Sequence, residues 1–392
     1  MRLLFLAAPL LFGVACNGNS TTQSAPKDTA APKKKADTLT KLSPGETRPV
    51  DSALTGFARY IAGMDGPAKY KALQAESWIN YSKTNTAKWT ELQNKIGSNI
   101  SNWVKEAKLE RENEPRTLFY PFAGGDFYYA NLFFPNQDTT IMIGLEPGGS
   151  IFMPDSVKPA TLATYYSNLQ HSMFFPHWLG FFRTKSMAVD FNKGPLNGTL
   201  HTCLFYLAQG GYSLHYIEHF NLDKDGRETD VVQAAQHGRG KKYTAYRIGY
   251  SKPGSPVRQL VYFSYDASNE NMKARPNLLN WLNRRGKVVT FFKAASYLMH
   301  YDMFSTVRNF VNNRSTRLLQ DDSGLPYAFM LKNNFEVKLL GKYTKTIALF
   351  ANEFQPDMKA AYAKAQPATL PFMIGYNAEF RECNLQAAWK KP

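Results

Sequence analysis

Between Tyr120 and Gly149 the chain reads YPFAGGDFYYANLFFPNQDTTIMIGLEPGG, and this stretch constrains the fold more than any other. Two apolar runs flank a Gly124-Gly125-Asp126 turn, and a second Gly-Gly follows Glu146 and Pro147. Aromatic rings crowd the same thirty residues. Such a composition holds the backbone in conformations that glycine adopts without strain, packed under rings. It predicts the middle of a fold and the wall of a cleft.

The chain has 392 residues, enough for one large or two ordinary domains with a substantial core. An apolar content of 44% with 14% aromatics excludes a disordered protein. The formal charge is +16. Residues 1–16 supply only Arg2, and residues 17–50 carry six basic and three acidic side chains, so +12 remains on residues 51–392. A basic body favours anionic neighbours such as lipid headgroups or acidic glycans. Clusters of Arg and Lys with interleaved aromatics are missing from the body, so no nucleic-acid partner is expected.

The N-terminus has the layout of a secretory signal peptide over residues 1–15. A short positive region at Met1-Arg2 precedes an apolar run from Leu3 to Val14, too short to span a membrane. Phe12-Gly-Val-Ala-Cys16 resembles a bacterial lipobox, which implies lipidation of Cys16; the alternative is an ordinary signal peptide cut nearby. No later segment holds eighteen uninterrupted apolar residues, so an anchored protein is expected rather than a spanning one. Residues 16–50 are rich in Ser, Thr, Pro, Ala and Lys and read as a disordered tether. Asp28-Thr-Ala and Asp37-Thr-Leu within it, and Asp51-Ser-Ala just beyond, resemble the short O-glycosylation motif of Bacteroidetes secreted proteins. Asn17-Gly-Asn-Ser20 lacks the acidic run that resembles a surface-export signal, which favours the periplasmic face of the outer membrane. Cys203 and Cys383 can pair in an oxidising periplasm or stay as buried free thiols.

Residues 51–110 read as an N-terminal helical segment. Asp51 or Ser52 can cap a helix carrying Leu54, Phe57 and Ile61. Trp89, Leu92, Ile96, Ile100, Trp103 and Ala107 then recur at helical spacing. From residue 111 to 392 short apolar runs alternate irregularly with helices. Strands are predicted at 118–122, 139–145, 212–222, 243–250, 258–265, 287–292, 316–320, 335–340, 346–350 and 371–376. Helices are predicted at 159–170, 277–284, 296–312 and 355–365, with 196–208 open to either state. This pattern predicts an α+β fold with a mixed, largely antiparallel sheet, in one unit with residues 51–110.

The combination YPFAGGD, FFP, IGLEP, FFRTKSM, LQDDSGLPY and PFMIGY is similar to a family of Bacteroidetes-type hypothetical lipoproteins. The resemblance covers most of residues 51–380. It implies one folded body and supplies no catalytic residues.

Several constellations can carry chemistry. His215-Tyr-Ile-Glu218-His219 fits the inverted zinc-protease motif, but that chemistry needs a helix, and the flanking glycines and β-branched neighbours predict a strand. Asn221-x-Asp223-x-Asp225-Gly226 resembles half a calcium loop, yet Val232 stands where a bidentate Glu is needed, so a hairpin turn is expected. No metal site and no cofactor are expected. Asp126 beside its glycines, and Asp321-Asp322-Ser323-Gly324 after a strand, are acidic turns of the kind that hold ligands. Tyr120, Asp126, Tyr128, Tyr129, Asp321 and Asp322 are therefore the candidate ligand-binding residues, and no catalytic residue is assigned. The expected role is a lipid-anchored cell-envelope protein binding a glycan or an anionic group. The alternatives are a hydrolase using Asp126 with Asp321 or Asp322, and a structural lipoprotein whose aromatics are all core.

Overall fold

The apolar residues of the body's strands alternate with a period of two, and the sheet they build is covered on both faces. In β1 (Thr117–Tyr120), Leu118 and Tyr120 enter one core while Phe119 enters the other. In β6 (Arg258–Ser264), Leu260 and Tyr262 oppose Val261 and Phe263 in the same way. The computed structural model describes residues 48–65, 68–73, 75–179, 191, 194–230, 245–378 and 381–391. Residues 1–47, which include the expected signal peptide, Cys16 and most of the expected tether, lie outside the described residues. Residues 48 onward belong to one compact unit.

The fold is α+β, with eleven α-helices and a ten-stranded mixed sheet among the described residues. The remaining strands are β2 (Thr139–Gly144), β3 (Ser213–Leu222), β4 (Glu228–Asp230), β5 (Ala245–Ser251), β7 (Val288–Phe292), β8 (Ser315–Gln320), β9 (Phe335–Gly341) and β10 (Asn384–Lys390). Their order is β4-β3-β5-β6-β2-β1-β7-β8-β10-β9. The five central strands β6, β2, β1, β7 and β8 run parallel. Both flanks are antiparallel, which makes five of the nine strand pairings antiparallel.

One face is covered by α1 (Ser52–Ile61), α2 (Glu76–Leu92), α3 (Ser98–Ala107), α4 (Phe127–Phe133), α5 (Pro159–Leu179) and α6 (Leu200–Gln209). Asp51 caps α1 by accepting from the N–H groups of Ala53 (2.9 Å) and Leu54 (3.0 Å). The expected long helix through Trp89 and Ala107 is split into α2 and α3 by a π-turn at Gln93–Gly97. A Cβ on Gly97 would lie 2.5 Å from the Tyr128 hydroxyl, so a bare position there lets the helix approach. The other face is covered by α7 (Asn269–Ala274), α8 (Asn277–Asn283), α9 (Ser305–Arg314) and α10 (Tyr327–Lys332), while α11 (Pro356–Ala365) packs on Tyr343. No helix among the described residues is long and apolar enough to cross a membrane.

Three local expectations change. Residues 346–350 are not a strand, and Ala348–Glu353 form a 3-10 turn instead. Residues 371–376 are irregular, with Phe372 and Ile374 buried in the helix-facing core. The place of a last strand belongs to β10, whose NLQAAWK shows little β-branching and is held between β8 and β9. The helix expected over 296–312 begins only at Ser305, because Ser296 and Tyr297 adopt left-handed backbone angles (φ 53° and 56°). Of residues 196–208, open to either state in sequence, those from 200 onward lie in the helix Leu200–Gln209. Cys203 and Cys383 are both buried and free. The chain is already docked at Arg48, which pairs with Glu218 on β3 at 2.7 Å.

Candidate functional site

The five parallel strands all end on one edge of the sheet, and the chain leaves two of them in opposite directions. From β1 it crosses through α4 to β2 on one side, and from β7 it crosses through α9 to β8 on the other. The carboxyl ends of β1 and β7 therefore diverge, which leaves a crevice at the switch point where open sheets of this kind hold ligands. A cleft of about 290 Å³ lies there. Its walls come from the carboxyl ends of four strands and the segments that follow them: β1 (Tyr120, Phe122, Ala123, Gly124, Asp126), β2 (Gly144, Leu145, Glu146), β6 (Tyr265, Asp266, Ala267) and β7 (Lys293, Ala294, Ala295, Ser296), closed by Phe304, Leu349, Phe350 and Tyr376.

The floor is a buried charge pair. Asp126 Oδ2 accepts from the Tyr120 hydroxyl at 2.7 Å and from Lys293 Nζ at 2.9 Å. The Asp126 and Lys293 side chains are 3% and 1% exposed, and the ammonium lies 3.9 Å from the centre of the Tyr129 ring. Burial raises the Asp126 carboxyl above its ordinary range, and Lys293, then Tyr120, pull it back. Its second oxygen, Oδ1, is buried with no well-formed hydrogen-bond partner, though the Tyr129 backbone N–H adds a weaker pull toward the charged form. Burial, then Asp126, raises the Tyr120 phenol well above its usual value, so it stays a donor.

Glu146 explains the glycines around it. It is 4% exposed, and its carboxylate folds back over Gly124 and Gly144. A Cβ on Gly144 would lie 2.6 Å from both Glu146 Oε2 and the Tyr262 hydroxyl. The Tyr262 hydroxyl in turn donates to the Glu146 carbonyl at 2.9 Å. The Gly124 backbone is left-handed at φ 53°. Gly-Gly-Asp and Gly-Leu-Glu-Pro are thus two halves of one wall, brought together by the parallel pairing of β1 with β2.

The opposite wall is strained. Ala294, Ser296 and Tyr297 have φ between 50° and 56°, and Phe122 across the cleft has φ 61°. Left-handed non-glycine residues cost free energy and cluster where the surrounding structure imposes them for a purpose. Here the imposing groups are visible. Asp321 Oδ2 accepts from the Ala294 N–H at 2.7 Å, and Ser323 Oγ from the Ala295 N–H at 2.7 Å. The Tyr376 hydroxyl accepts from the Ser296 N–H at 3.0 Å and donates to the Ala294 carbonyl at 2.7 Å.

Of the residues singled out in sequence, Tyr120 and Asp126 line the cleft. Tyr129 lies beneath Lys293. Tyr128 points the other way, accepting from Gln93 Nε2 at 2.9 Å and stacking on Tyr206 at 5.3 Å. Asp321 supports the strained wall from behind. Asp322 is turned further in, bound by Tyr297 Oη and by Asn384 Nδ2 (3.0 Å). Burial, then the neighbouring Asp321 charge, pushes the Asp322 carboxyl up to about 7. The turns at 124–126 and 321–324 are linked through the segment after β7, where Lys293 pairs with Asp126 while the Ala294 and Ala295 N–H groups donate to Asp321 and Ser323. Sequence reasoning assigned no ligand role to Lys293, Glu146, Ser296 or Tyr376. The one signal for Lys293 was a lone charge closing the apolar strand VVTFF.

The other motifs are settled by their surroundings. His215 and His219 stand on β3, not on a helix. The first binds the Ser251 hydroxyl at 2.8 Å and the second the Gly149 carbonyl at 2.8 Å. Asp223 closes a hairpin turn, accepting from the N–H groups of Asp225 (2.9 Å) and Arg227 (2.8 Å). No group of three or more His, Cys, Asp or Glu side chains among the described residues is placed to hold a metal. Compared with protein-family models, curated proteins and solved structures, the chain matches none, so what the cleft can do is set by its own residues.

Proposed function

We propose that the protein is a lipid-anchored cell-envelope protein that binds a sugar unit of an envelope glycan in the cleft at Asp126 and Glu146. The observation that carries this reading is the make-up of the cleft: the carboxylates Asp126, Glu146 and Asp266 stand beside the rings of Phe122, Tyr265, Phe304, Phe350 and Tyr376. Sugar hydroxyls donate to carboxylates, while the C–H faces of a pyranose pack on aromatic rings. Within a body of net positive charge the cleft itself carries three carboxylates against one ammonium, Lys293. That balance favours a neutral or amine-bearing sugar over an anionic group. The hydrolase alternative draws less support. Asp321 is engaged by Ala294 and Ser323, and Asp322 by Tyr297 and Asn384, so neither is offered to the cleft beside Asp126.

The test is a thermal-shift and calorimetric screen of the full chain carrying Cys16→Ser, with methyl glycosides and amino sugars as probes. A ligand at a hundred times its Kd is expected to stabilise by about 2.7 kcal/mol. Glu146→Gln keeps the shape over Gly144 and is expected to weaken binding at least tenfold while leaving Tm nearly unchanged. Equal affinity in the variant would remove the cleft from consideration. For the anchor, Cys16→Ser is expected to move the protein from the membrane pellet to the soluble fraction on cell fractionation. A parent protein already found in the soluble fraction would defeat that part of the proposal.

A further inference from the structure

The mouth of the cleft is apolar in a way that a site for a free sugar does not require. Leu145, one residue past β2, is 64% exposed, and Leu349, in the 3-10 turn Ala348–Glu353, is 73% exposed. They are the two most exposed large apolar side chains among the described residues, and both line this one cleft. Scattered single exposed leucines need no explanation, but two converging from distant parts of the chain on one cavity mark a contact surface. Neither position is a packing accident of an apolar strand. Leu145 follows Gly144 at the point where the chain turns so that Glu146 can fold inward. Leu349 is carried by a turn held at its far end, where Glu353 binds Tyr301 Oη at 2.5 Å and His300 Nδ1 at 3.0 Å. Phe350, next to Leu349, is the non-helical kink in that turn (φ −120°, ψ 31°) and packs on Tyr376 at 5.0 Å inside the cleft. The turn therefore presents one ring inward and one apolar side chain at the rim.

We infer that the ligand is an amphiphile: a hydroxyl- or amine-bearing sugar head seated against Asp126 and Glu146, joined to an alkyl chain that leaves the cleft between Leu145 and Leu349. This rests on the glycan reading above and adds the class of its aglycone. Removing methylenes from water against these two side chains strengthens binding a few-fold for each one buried. A chain in this position is the source of selectivity between a lipid-linked sugar and a free one.

The experiment compares matched methyl and octyl glycosides by calorimetry. Glucosides, galactosides and 2-amino-2-deoxyglucosides are used, all below the octyl compounds' micelle-forming concentrations, on the full chain carrying Cys16→Ser. The octyl member of at least one pair is expected to bind ten times tighter or better than its methyl partner. In the double variant Leu145→Ser/Leu349→Ser that ratio is expected to fall close to one. Both substitutions are at exposed positions, and an unchanged Tm shows that the variant is folded. Equal binding of the two members of a pair overturns the inference and leaves the sugar site standing. An octyl advantage that survives the double variant overturns the assignment to Leu145 and Leu349. Binding by no member of any pair overturns the glycan reading, and this inference with it.

Discussion

Lys293→Met is expected to destabilise the fold by about 3–5 kcal/mol, the range for removing one partner of a buried ion pair. The reason is the position of Asp126. Its carboxyl is buried, and Lys293 is the largest influence opposing the rise that burial imposes. Without the ammonium, the aspartate must either stay charged in an apolar surrounding or take up a proton from water, and both cost stability at neutral pH. The second variant separates the pair from simple packing. Lys293→Met/Asp126→Asn removes both charges of the pair, and the amide oxygen it introduces still accepts from the Tyr120 hydroxyl, so most of the loss is expected to be recovered. Urea unfolding of the parent, both single variants and the double variant closes the cycle. A double variant as unstable as Lys293→Met would mean that the ammonium's contact with the Tyr129 ring, and not its pairing with Asp126, is what matters. Because Asp126 also lies on the cleft floor, the same four proteins show whether the ion pair is needed for the binding proposed there.

The second large effect is on pH. Asp322 has a folded-state pKa of about 7, against about 4 in an unfolded chain. A group whose folded pKa is raised contributes stability that is fully present below its unfolded value and is lost as pH rises through its folded value. The protein is therefore expected to lose stability between about pH 4 and pH 7 on account of this group, by an amount on the order of a few kcal/mol. Asp321 is shifted in the same direction by burial and acts with it. Asp322→Asn removes this group's share of the titration and leaves that of Asp321. Its carbonyl oxygen can accept from Asn384 and its amide can donate to the Tyr297 oxygen, so the variant is expected to keep the fold. Relative to the parent it should become progressively more stable as pH rises through this window. Chemical denaturation at pH 4, 5.5 and 7.5 measures the difference, and parallel profiles for the two proteins would refute the account. Glu228 acts in the opposite sense. Burial pushes it up, but Arg247, Trp281 and Arg285 together hold it below its ordinary value, so its contribution is lost only on acidification.

What was legible in sequence follows from how local each signal is. Turn chemistry and apolar alternation depend on neighbouring residues. The hairpin of β5 and β6, the Asp223 turn, the cap at Asp51 and the strand across His215 and His219 could therefore be read from a few residues each. The α+β class followed from their irregular alternation. β10 was hidden because its residues have little intrinsic preference for a strand and are held by β8 and β9. Residues 296–304 were misread as helix because the apolar spacing fits one, while Tyr376, Asp321 and Ser323, distant in sequence, impose another backbone.

The same division holds for the site. The sequence alone determined that Tyr120–Gly149 would form a tight, glycine-dependent wall with Asp126 in it, because close packing under rings needs bare positions wherever it occurs. Which groups that wall faces is fixed by contacts between segments distant in sequence. Parallel pairing of β1 with both β2 and β7 brings Glu146 over Gly124 and Lys293 onto Asp126, across 167 positions of chain in the second case. No periodicity or spacing encodes such a contact. It is set by strand order, and strand order is chosen by the burial of both faces of the sheet at once.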